Sequence, residues 1–299
     1  MEWMNYRIGT RGSPLAIWQA RRIIELLQSA DSSSQWEICE IKTSGDVRSE
    51  FGDELPEGVG EFSSALEKEL FSGGIDLAVH SAKDVPTSLP EGLILAAFPE
   101  RADARDAVIR RKGSPAAPPA GSRLGTGSPR RSLLWSEKWP QTEIHGIRGN
   151  VDRRMLRLQN EKDWWGVILA CAGIDRLGGC PEGLVMERLS PDWMVPAPGQ
   201  GALAIECREV DLNLRMILEK INCTDVQVCV DAEKAFLKEW GGGCSESLGA
   251  YAQLTGQGDL ALRVSVKGKR GQVVRAEAKG KVTQARSVGS ELAERIRNE

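Results

Sequence analysis

One arrangement occurs twice in this chain and limits what it can fold into. Tyr6-Arg7-Ile8-Gly9-Thr10 reads as a strand, Arg11-Gly12-Ser13-Pro14 as a turn, and Leu15 to Gln28 as a helix by its apolar spacing. The design returns in Ser122-Arg123-Leu124-Gly125-Thr126-Gly127-Ser128-Pro129-Arg130-Arg131, which continues through Leu133, Leu134 and Trp135. Serine is a favoured helix N-cap, and proline fits the first helical position, where its missing N–H has no intrahelical partner to lose. Two copies, Ser13 and Ser128 standing 115 residues apart, predict two similarly built α/β domains. A helix start also presents free N–H groups to an anion, and here Arg11, Arg130 and Arg131 add positive charge. A plainly capped helix explains either turn alone; the recurrence favours paired anion-binding starts facing each other across a cleft.

A third stretch carries the most chemistry. Ile75-Asp76-Leu77-Ala78-Val79 is a buried strand by its apolar run, and His80-Ser81-Ala82-Lys83-Asp84-Val85-Pro86 turns polar and stops at a proline. In open α/β sheets, ligands sit outside the carboxyl ends of strands, so Ser81, Lys83 and Asp84 are expected at the mouth of a crevice. A carboxylate there steadies a developing cation, and the adjacent lysine favours its ionised form. The competing reading is a surface Asp–Lys pair of little consequence.

The remaining segments follow in order. Trp36 to Ile41 alternates like a strand, 47–60 is a Gly-rich acidic loop or lid, and Glu61 to Phe71 is a helix closed by Gly73-Gly74. Residues 96–106 read as a first interdomain crossing and 195–201 as the return. Between them lie strands at 107–109, 144–147 and 165–170, with helix starts after Ser128 and Asn150. The last third holds a helix (230–240), three strands (248–254, 260–267, 273–280) and a final helix (285–297), which predict an antiparallel sheet with helices on one face. The expected division is 1–99 with 197–216, 100–196, and 217–299.

Charge is unevenly spread. Residues 101–160 hold 13 Lys and Arg against 5 Asp and Glu, in a chain of net charge −3. A basic middle in an acidic chain suits an anionic ligand. It lacks the interleaved aromatics or basic helix of a nucleic-acid binder, so that reading is weak. Seven cysteines without a C-x-x-C pair, and only two histidines, argue against a disulfide framework, a zinc site or a His-based triad; no metal is expected. No apolar run reaches the length of a membrane span, and Met1-Glu2-Trp3-Met4-Asn5 is no signal peptide, so a cytoplasmic location is the default. Cys244 stands on a glycine loop, Gly241-Gly242-Gly243, whereas the other cysteines sit mainly in apolar or helical contexts; it reads as a projecting nucleophile or as a simple turn residue.

Thr10 to Ala16, His80 to Pro86, Gly125 to Arg131, Ile147-Arg148-Gly149-Asn150-Val151, Pro198-Gly199-Gln200-Gly201 and Gly241 to Cys244 together resemble, in order and spacing, the successive motifs of the porphobilinogen deaminase (hydroxymethylbilane synthase) family. The resemblance implies two α/β domains like those of periplasmic binding proteins, crossed twice by the chain, plus a small α+β domain. It implies a cytoplasmic, monomeric transferase of tetrapyrrole biosynthesis that joins four porphobilinogen molecules head to tail, releases ammonia at each step and frees the product by hydrolysis. It implies a dipyrromethane cofactor held by a thioether to Cys244. On the same ground Asp84 and Lys83 match catalytic positions, and Ser13, Lys83, Thr126, Ser128, Arg130, Arg131, Arg148, Gly149 and Arg154 match cofactor-binding ones. Arg11, Ser13, Gln19, Arg148, Arg154 and Arg176 match positions that bind the substrate carboxylates.

The chain departs from the family's usual pattern in two places. Val59 stands where the lid commonly has a lysine, and Ser245-Glu246-Ser247 follows Cys244 where an apolar residue and a proline are usual. The alternative to a working deaminase is therefore a weak or inactive homologue that binds a pyrrole or another anion in the cleft. Retention of both Asp84 and Cys244 favours the enzyme.

Overall fold

The computed structural model describes residues 4–42, 64–241, 247–256 and 258–299. The strands are β1 (Met4–Thr10), β2 (Ser34–Glu40), β3 (Leu77–Ser81), β4 (Leu93–Ala97), β5 (Asp106–Arg111), β6 (Arg123–Gly125) and β7 (Glu143–His145), then β8 (Trp164–Ala170), β9 (Leu184–Arg188), β10 (Leu203–Arg208), β11 (Leu248–Gly256), β12 (Asp259–Lys267) and β13 (Val273–Lys281). The helices are α1 (Pro14–Ala30), α2 (Ser64–Ser72), α3 (Pro129–Lys138), α4 (Val151–Asn160), α5 (Cys171–Arg176), α6 (Leu212–Glu219), α7 (Thr224–Trp240) and α8 (Ala285–Asn298). The chain divides into two compact units, 1–102 with 202–227 and 103–201 with 228–299.

The repeat seen in the sequence is a repeat of topology. The first unit holds a five-stranded sheet of order β2-β1-β3-β10-β4, and the second one of order β7-β6-β8-β5-β9. In each, three neighbouring strands are parallel and the fourth runs antiparallel to them. That fourth strand is β10 in one sheet and β5 in the other, each the first strand after the chain enters that unit. Both sheets are covered on two faces, as parallel strands require. Ile8, Leu77, Val79 and Ile205 pack with Ile23 and Leu27 of α1 and Leu214 and Leu218 of α6, while Ala78 and Leu93 meet Leu66 and Leu70 of α2. In the second unit Val167 and Leu169 face Met155 and Leu158 of α4, and Ile168 faces Leu134 and Trp135 of α3.

The last third forms the predicted small α+β domain. Its antiparallel sheet, β11-β12-β13, presents Leu248, Ala250, Leu260, Leu262, Val264 and Val266 to Phe236 of α7 and to Leu292 and Ile296 of α8. The helices touch closely: a Cβ at Gly289 would stand 2.2 Å from the Ala232 carbonyl oxygen. Glu233, fully buried on α7, ties this domain to the preceding segment by accepting the Gly199 N–H at 2.6 Å and the Ala252 N–H at 2.8 Å.

Three elements were not anticipated. β4 covers 93–95, where the sequence suggests no element, and the first two residues of the expected crossing; β9 follows α5, and α6 follows β10. α6 was hard to see because Leu212 and Met216 are exposed and blur its apolar stripe. α7 also begins six residues before the predicted start, with Val226 and Cys229 continuing its buried face. Phe236 has 0 % exposure and stacks on Trp240, so Phe236→Ala is expected to cost about 3–5 kcal/mol in denaturant unfolding of the chain.

Candidate active site

Parallel strands deliver their following turns to one edge of a sheet, and the residues singled out in the sequence collect there. In the first unit, β1 and β3 are parallel neighbours. After β1, the Ser13 hydroxyl accepts the Ala16 N–H at 3.2 Å, and Pro14 opens α1, as predicted. Arg11 and Ser13 are half-buried in this turn. Gln19, buried on α1, donates to the Ser81 hydroxyl at 3.0 Å and so fixes the helix to the end of β3. The chain then makes a 3-10 turn over Ala82–Asp84, and the Ala82 N–H donates to the Ala202 carbonyl at 3.0 Å. Ala82 and Val85 are buried, Lys83 is half-buried and Asp84 is exposed. The result is a short carboxylate on a turn anchored at both ends.

In the second unit the edge is formed by the turns after β6, β7 and β8. The Thr126 N–H donates to the His145 carbonyl at 2.9 Å, and the Thr126 hydroxyl accepts the Ser128 N–H at 3.2 Å. The Ser128 hydroxyl caps α3 by accepting the Arg131 N–H at 3.4 Å. Gly127 lets two turns meet, because a Cβ there would be 3.0 Å from the Ile147 carbonyl oxygen. Gly149 adopts φ +96°, and the Arg154 Nε–H donates to its carbonyl at 2.7 Å, which leaves Arg148 exposed beside them. Arg176, ending α5 after β8, donates to the Gly201 carbonyl at 2.8 Å. Burial pushes its guanidinium down to about 10, so it stays charged at neutral pH and, partly withdrawn from water, favours an anionic neighbour.

Arg130 and Arg131 are brought to the same helix start, but their side chains turn inward onto Asp106. Arg130 Nη1 donates to Asp106 Oδ2 at 2.6 Å and to the Val195 carbonyl at 2.7 Å. Arg131 Nε donates to Asp106 Oδ1 at 2.9 Å and its Nη1 to the Ile168 carbonyl at 3.0 Å. Gln200 Nε2 completes the cluster, donating to Asp106 Oδ1 at 3.0 Å and to the Ala104 carbonyl at 2.8 Å. Burial pushes the Asp106 carboxyl up, but the two guanidiniums and the hydrogen bonds from Arg130 and Gln200 outweigh it and hold it at about 2. Sequence reasoning did not find Asp106 or Gln200 as partners. The signal available was two adjacent arginines entering a helix whose next turn, Leu134-Trp135, is apolar, because such a pair needs a buried counter-charge.

Much of the remaining basic excess is also committed internally. Arg105 pairs with Asp103, Arg157 with Glu161 and Arg123 with Asp163, while Arg111 donates to the carbonyls of Leu158, Glu161 and Trp164. Among the described cysteines, Cys171, Cys207 and Cys229 are buried. Burial raises the thiols of Cys39 and Cys180, and pushes Cys207 up to about 11 and Cys171 up to about 12. All four are poor nucleophiles at neutral pH. The expected cofactor thiol, Cys244, and the lid at 47–60 lie outside the described residues.

These features define a two-unit α/β protein with a hydroxyl- and arginine-bearing strand edge in one unit and an anchored carboxylate in the other. The model of the porphobilinogen deaminase dipyromethane cofactor binding domain matches residues 6–216, and that of the porphobilinogen deaminase C-terminal domain matches residues 227–298. The chain is 42% identical over 256 residues to the porphobilinogen deaminase of Staphylococcus carnosus, covering 85% of this chain and 82% of that one. It is 40% identical over 299 residues to that of Syntrophus aciditrophicus, covering 97% and 94%. The chain belongs to the porphobilinogen deaminase family. Among solved structures it is similar to a periplasmic binding protein of Salmonella typhimurium, with a TM-score of 0.42 and 14% identity over 73% of this chain and 92% of that one.

Removing the counter-ion tests the Asp106 cluster. Asp106→Asn is expected to lower the unfolding free energy by about 3–5 kcal/mol, since it leaves two buried guanidiniums without their partner. A depressed carboxyl stabilises above its unfolded value, about 3.9, and loses that contribution as pH falls through about 2. Wild-type stability should therefore fall across that window, and the decline should be smaller in Asp106→Asn, as followed by denaturant titration at stepped pH.

Proposed function

We propose that this chain is a hydroxymethylbilane synthase. It condenses four porphobilinogen molecules head to tail with loss of ammonia, on a dipyrromethane primer held through Cys244, and then releases the linear tetrapyrrole by hydrolysis. The observation that carries this reading is that the family match runs along nearly the whole chain and that the matched polar residues follow the carboxyl ends of parallel strands in both units. The chain is proposed to act as a cytoplasmic monomer, with its third domain, 217–299, carrying the primer thiol.

The donor set suits the primer. A dipyrromethane with acetate and propionate arms presents four carboxylates and two pyrrole N–H groups. Thr126, Ser128, Arg148, the Gly149 backbone, Arg154 and Arg176 supply hydroxyl, amide and guanidinium donors, and Asp84 supplies an acceptor. When bound, the primer contributes the first pyrrole carbon to be extended. Arg11, Ser13, Arg148, Arg154 and Arg176 hold the substrate carboxylates, each charge-assisted contact contributing about 1.5–3 kcal/mol. Arg130 and Arg131 act at the same helix start with Asp106 as their counter-ion.

Asp84 works on charge. As the aminomethyl C–N bond of porphobilinogen breaks and ammonia leaves, a positive charge develops on the pyrrole. Attack by the acceptor pyrrole on that carbon would form the new C–C bond, and the acceptor would carry the positive charge in turn until its proton is lost. A fixed carboxylate accepting the pyrrole N–H bonds would stabilise both cations and receive or relay that proton, while the ammonium of Lys83 beside it attracts the carboxylates of the primer. The raised thiols of Cys39, Cys171, Cys180 and Cys207 make these four poor attachment points, which is consistent with Cys244 in that role.

Intact mass of the purified chain tests the primer: the expected result is a covalent addition of two linked pyrroles that disappears in Cys244→Ala. An unmodified wild-type chain that consumes no porphobilinogen would contradict the assignment. Asp84→Asn is expected to lower turnover by at least about 100-fold, equivalent to roughly 3 kcal/mol of lost charge stabilisation, with the primer still attached by mass. Near-normal turnover in that variant would remove Asp84 from the mechanism.

A further inference from the structure

The strand that delivers Asp84 also carries a buried ionisable pair that the proposed chemistry does not use. His80 on β3 and Glu206 on β10 are 8 % and 0 % exposed, and His80 Nε2 lies 2.9 Å from Glu206 Oε2. The strands are antiparallel, with Ala204 opposite His80 and Ala78 opposite Glu206. The imidazole and the carboxyl are therefore diagonal neighbours on one face, and the two alanines, both fully buried, leave the space in which long side chains meet across that diagonal. The other carboxyl oxygen, Glu206 Oε1, is buried and has no hydrogen-bond partner among the described residues. A core that sought only stability would place apolar side chains here, because burying an ionisable pair recovers little of its desolvation cost. The pair is thus a costly tie at a chosen place.

That place is the end of β3. Ser81, which receives the Gln19 hydrogen bond, is the next residue, and the Ala82–Asp84 turn begins immediately after it. β10 holds the same region from the other side, through Leu203 opposite Ser81 and through the Ala202 carbonyl, which accepts the Ala82 N–H. Slippage between β3 and β10 would carry the turn with it. Backbone ladder bonds alone resist such slippage weakly at a strand end, whereas a directional side-chain bond across the diagonal fixes one register.

We propose that His80 and Glu206 form a positioning latch: the hydrogen bond between them holds the end of β3 in register with β10 and so sets where Asp84 stands, without either residue touching substrate. This rests on the role given to Asp84 above.

Steady-state kinetics on primer-loaded variants, with loading verified by intact mass, test it. His80→Leu should lower kcat by about 10- to 100-fold, the scale of a sub-ångström to 1 Å misplacement of a reacting group, with KM for porphobilinogen changed less than about threefold. His80→Gln, whose amide nitrogen reaches the place of Nε2, should recover kcat to within about threefold of wild type. The double variant His80→Leu/Glu206→Met leaves no unpaired ionisable side chain behind and keeps the comparison valid where the single variant does not fold; it too should be slow. Because the latch acts through Asp84, adding His80→Leu to Asp84→Asn should lower turnover by less than about threefold further. Hydrogen–deuterium exchange should accelerate in peptides spanning 77–85 in His80→Leu and remain unchanged in the third domain. Normal kcat in His80→Leu or in the double variant, a His80→Gln enzyme as slow as His80→Leu, or a fully multiplicative loss with Asp84→Asn would each overturn the latch. Near-normal turnover in Asp84→Asn alone would instead refute the reading of Asp84, and the exchange measurement would still report whether the latch orders the strand end.

Discussion

Three parallel strands that end on one edge are the constraint on which this protein depends. Backbone hydrogen bonds between β1, β2 and β3, and again between β6, β7 and β8, oblige the turns that follow to leave the sheet side by side. Residues far apart in sequence, such as Ser13 and Asp84, or Thr126 and Arg176, then reach one edge of their own sheet without any dedicated contact to gather them. The turns need little else: a serine cap and a proline start, a glycine where two turns meet, and one anchoring side chain each. The hydroxyl and guanidinium donors and the Asp84 carboxylate, to which the proposed chemistry is assigned, are additions to an edge that the topology already supplies.

Charge on that edge has to be held in place, and each unit does so with a buried pair. In the second unit Asp106 takes up Arg130 and Arg131 at the start of α3 and, through Gln200 and Val195, also fastens the returning chain. In the first unit His80 and Glu206 tie the strand that carries Asp84 to β10. Both pairs join a member of the parallel trio, or the helix that follows it, to the antiparallel fourth strand or its flank. Stability alone does not account for them, since apolar packing would serve the core better. They fix position, and position is what a reaction controlled by charge requires.

The sequence made the frame legible because its signals were local. Ser13-Pro14 and Ser128-Pro129 declared two helix starts of the same kind, and the apolar run ending in His80-Ser81-Ala82-Lys83-Asp84 declared a strand with a polar mouth. The alternating runs after Leu248 declared an antiparallel sheet. What stayed hidden was long-range. Nothing near Arg130 in the chain announces Asp106, 24 residues earlier, or Gln200, 69 residues after Arg131. The pairing of His80 with Glu206 spans 126 residues and depends on a register that only the assembled sheet defines. The same cause hid β4 and α6, short elements whose apolar pattern is completed by neighbours from elsewhere in the chain. The arginine count misled in degree, since a local excess of +8 includes side chains whose charge is already balanced inside the protein.

The central claim is that the carboxyl edges of the parallel strands hold the pyrrole carboxylates. A crystal structure of the primer-loaded chain tests it most directly. The account predicts electron density continuous with the Cys244 sulfur, with its carboxylates within hydrogen-bond reach of the Thr126 and Ser128 hydroxyls, the Gly149 amide and the guanidiniums of Arg148, Arg154 and Arg176, and its pyrrole nitrogens on the Asp84 carboxylate. A primer whose carboxylates touch none of the turns after β6, β7 and β8, or whose nitrogens lie away from Asp84, would contradict it.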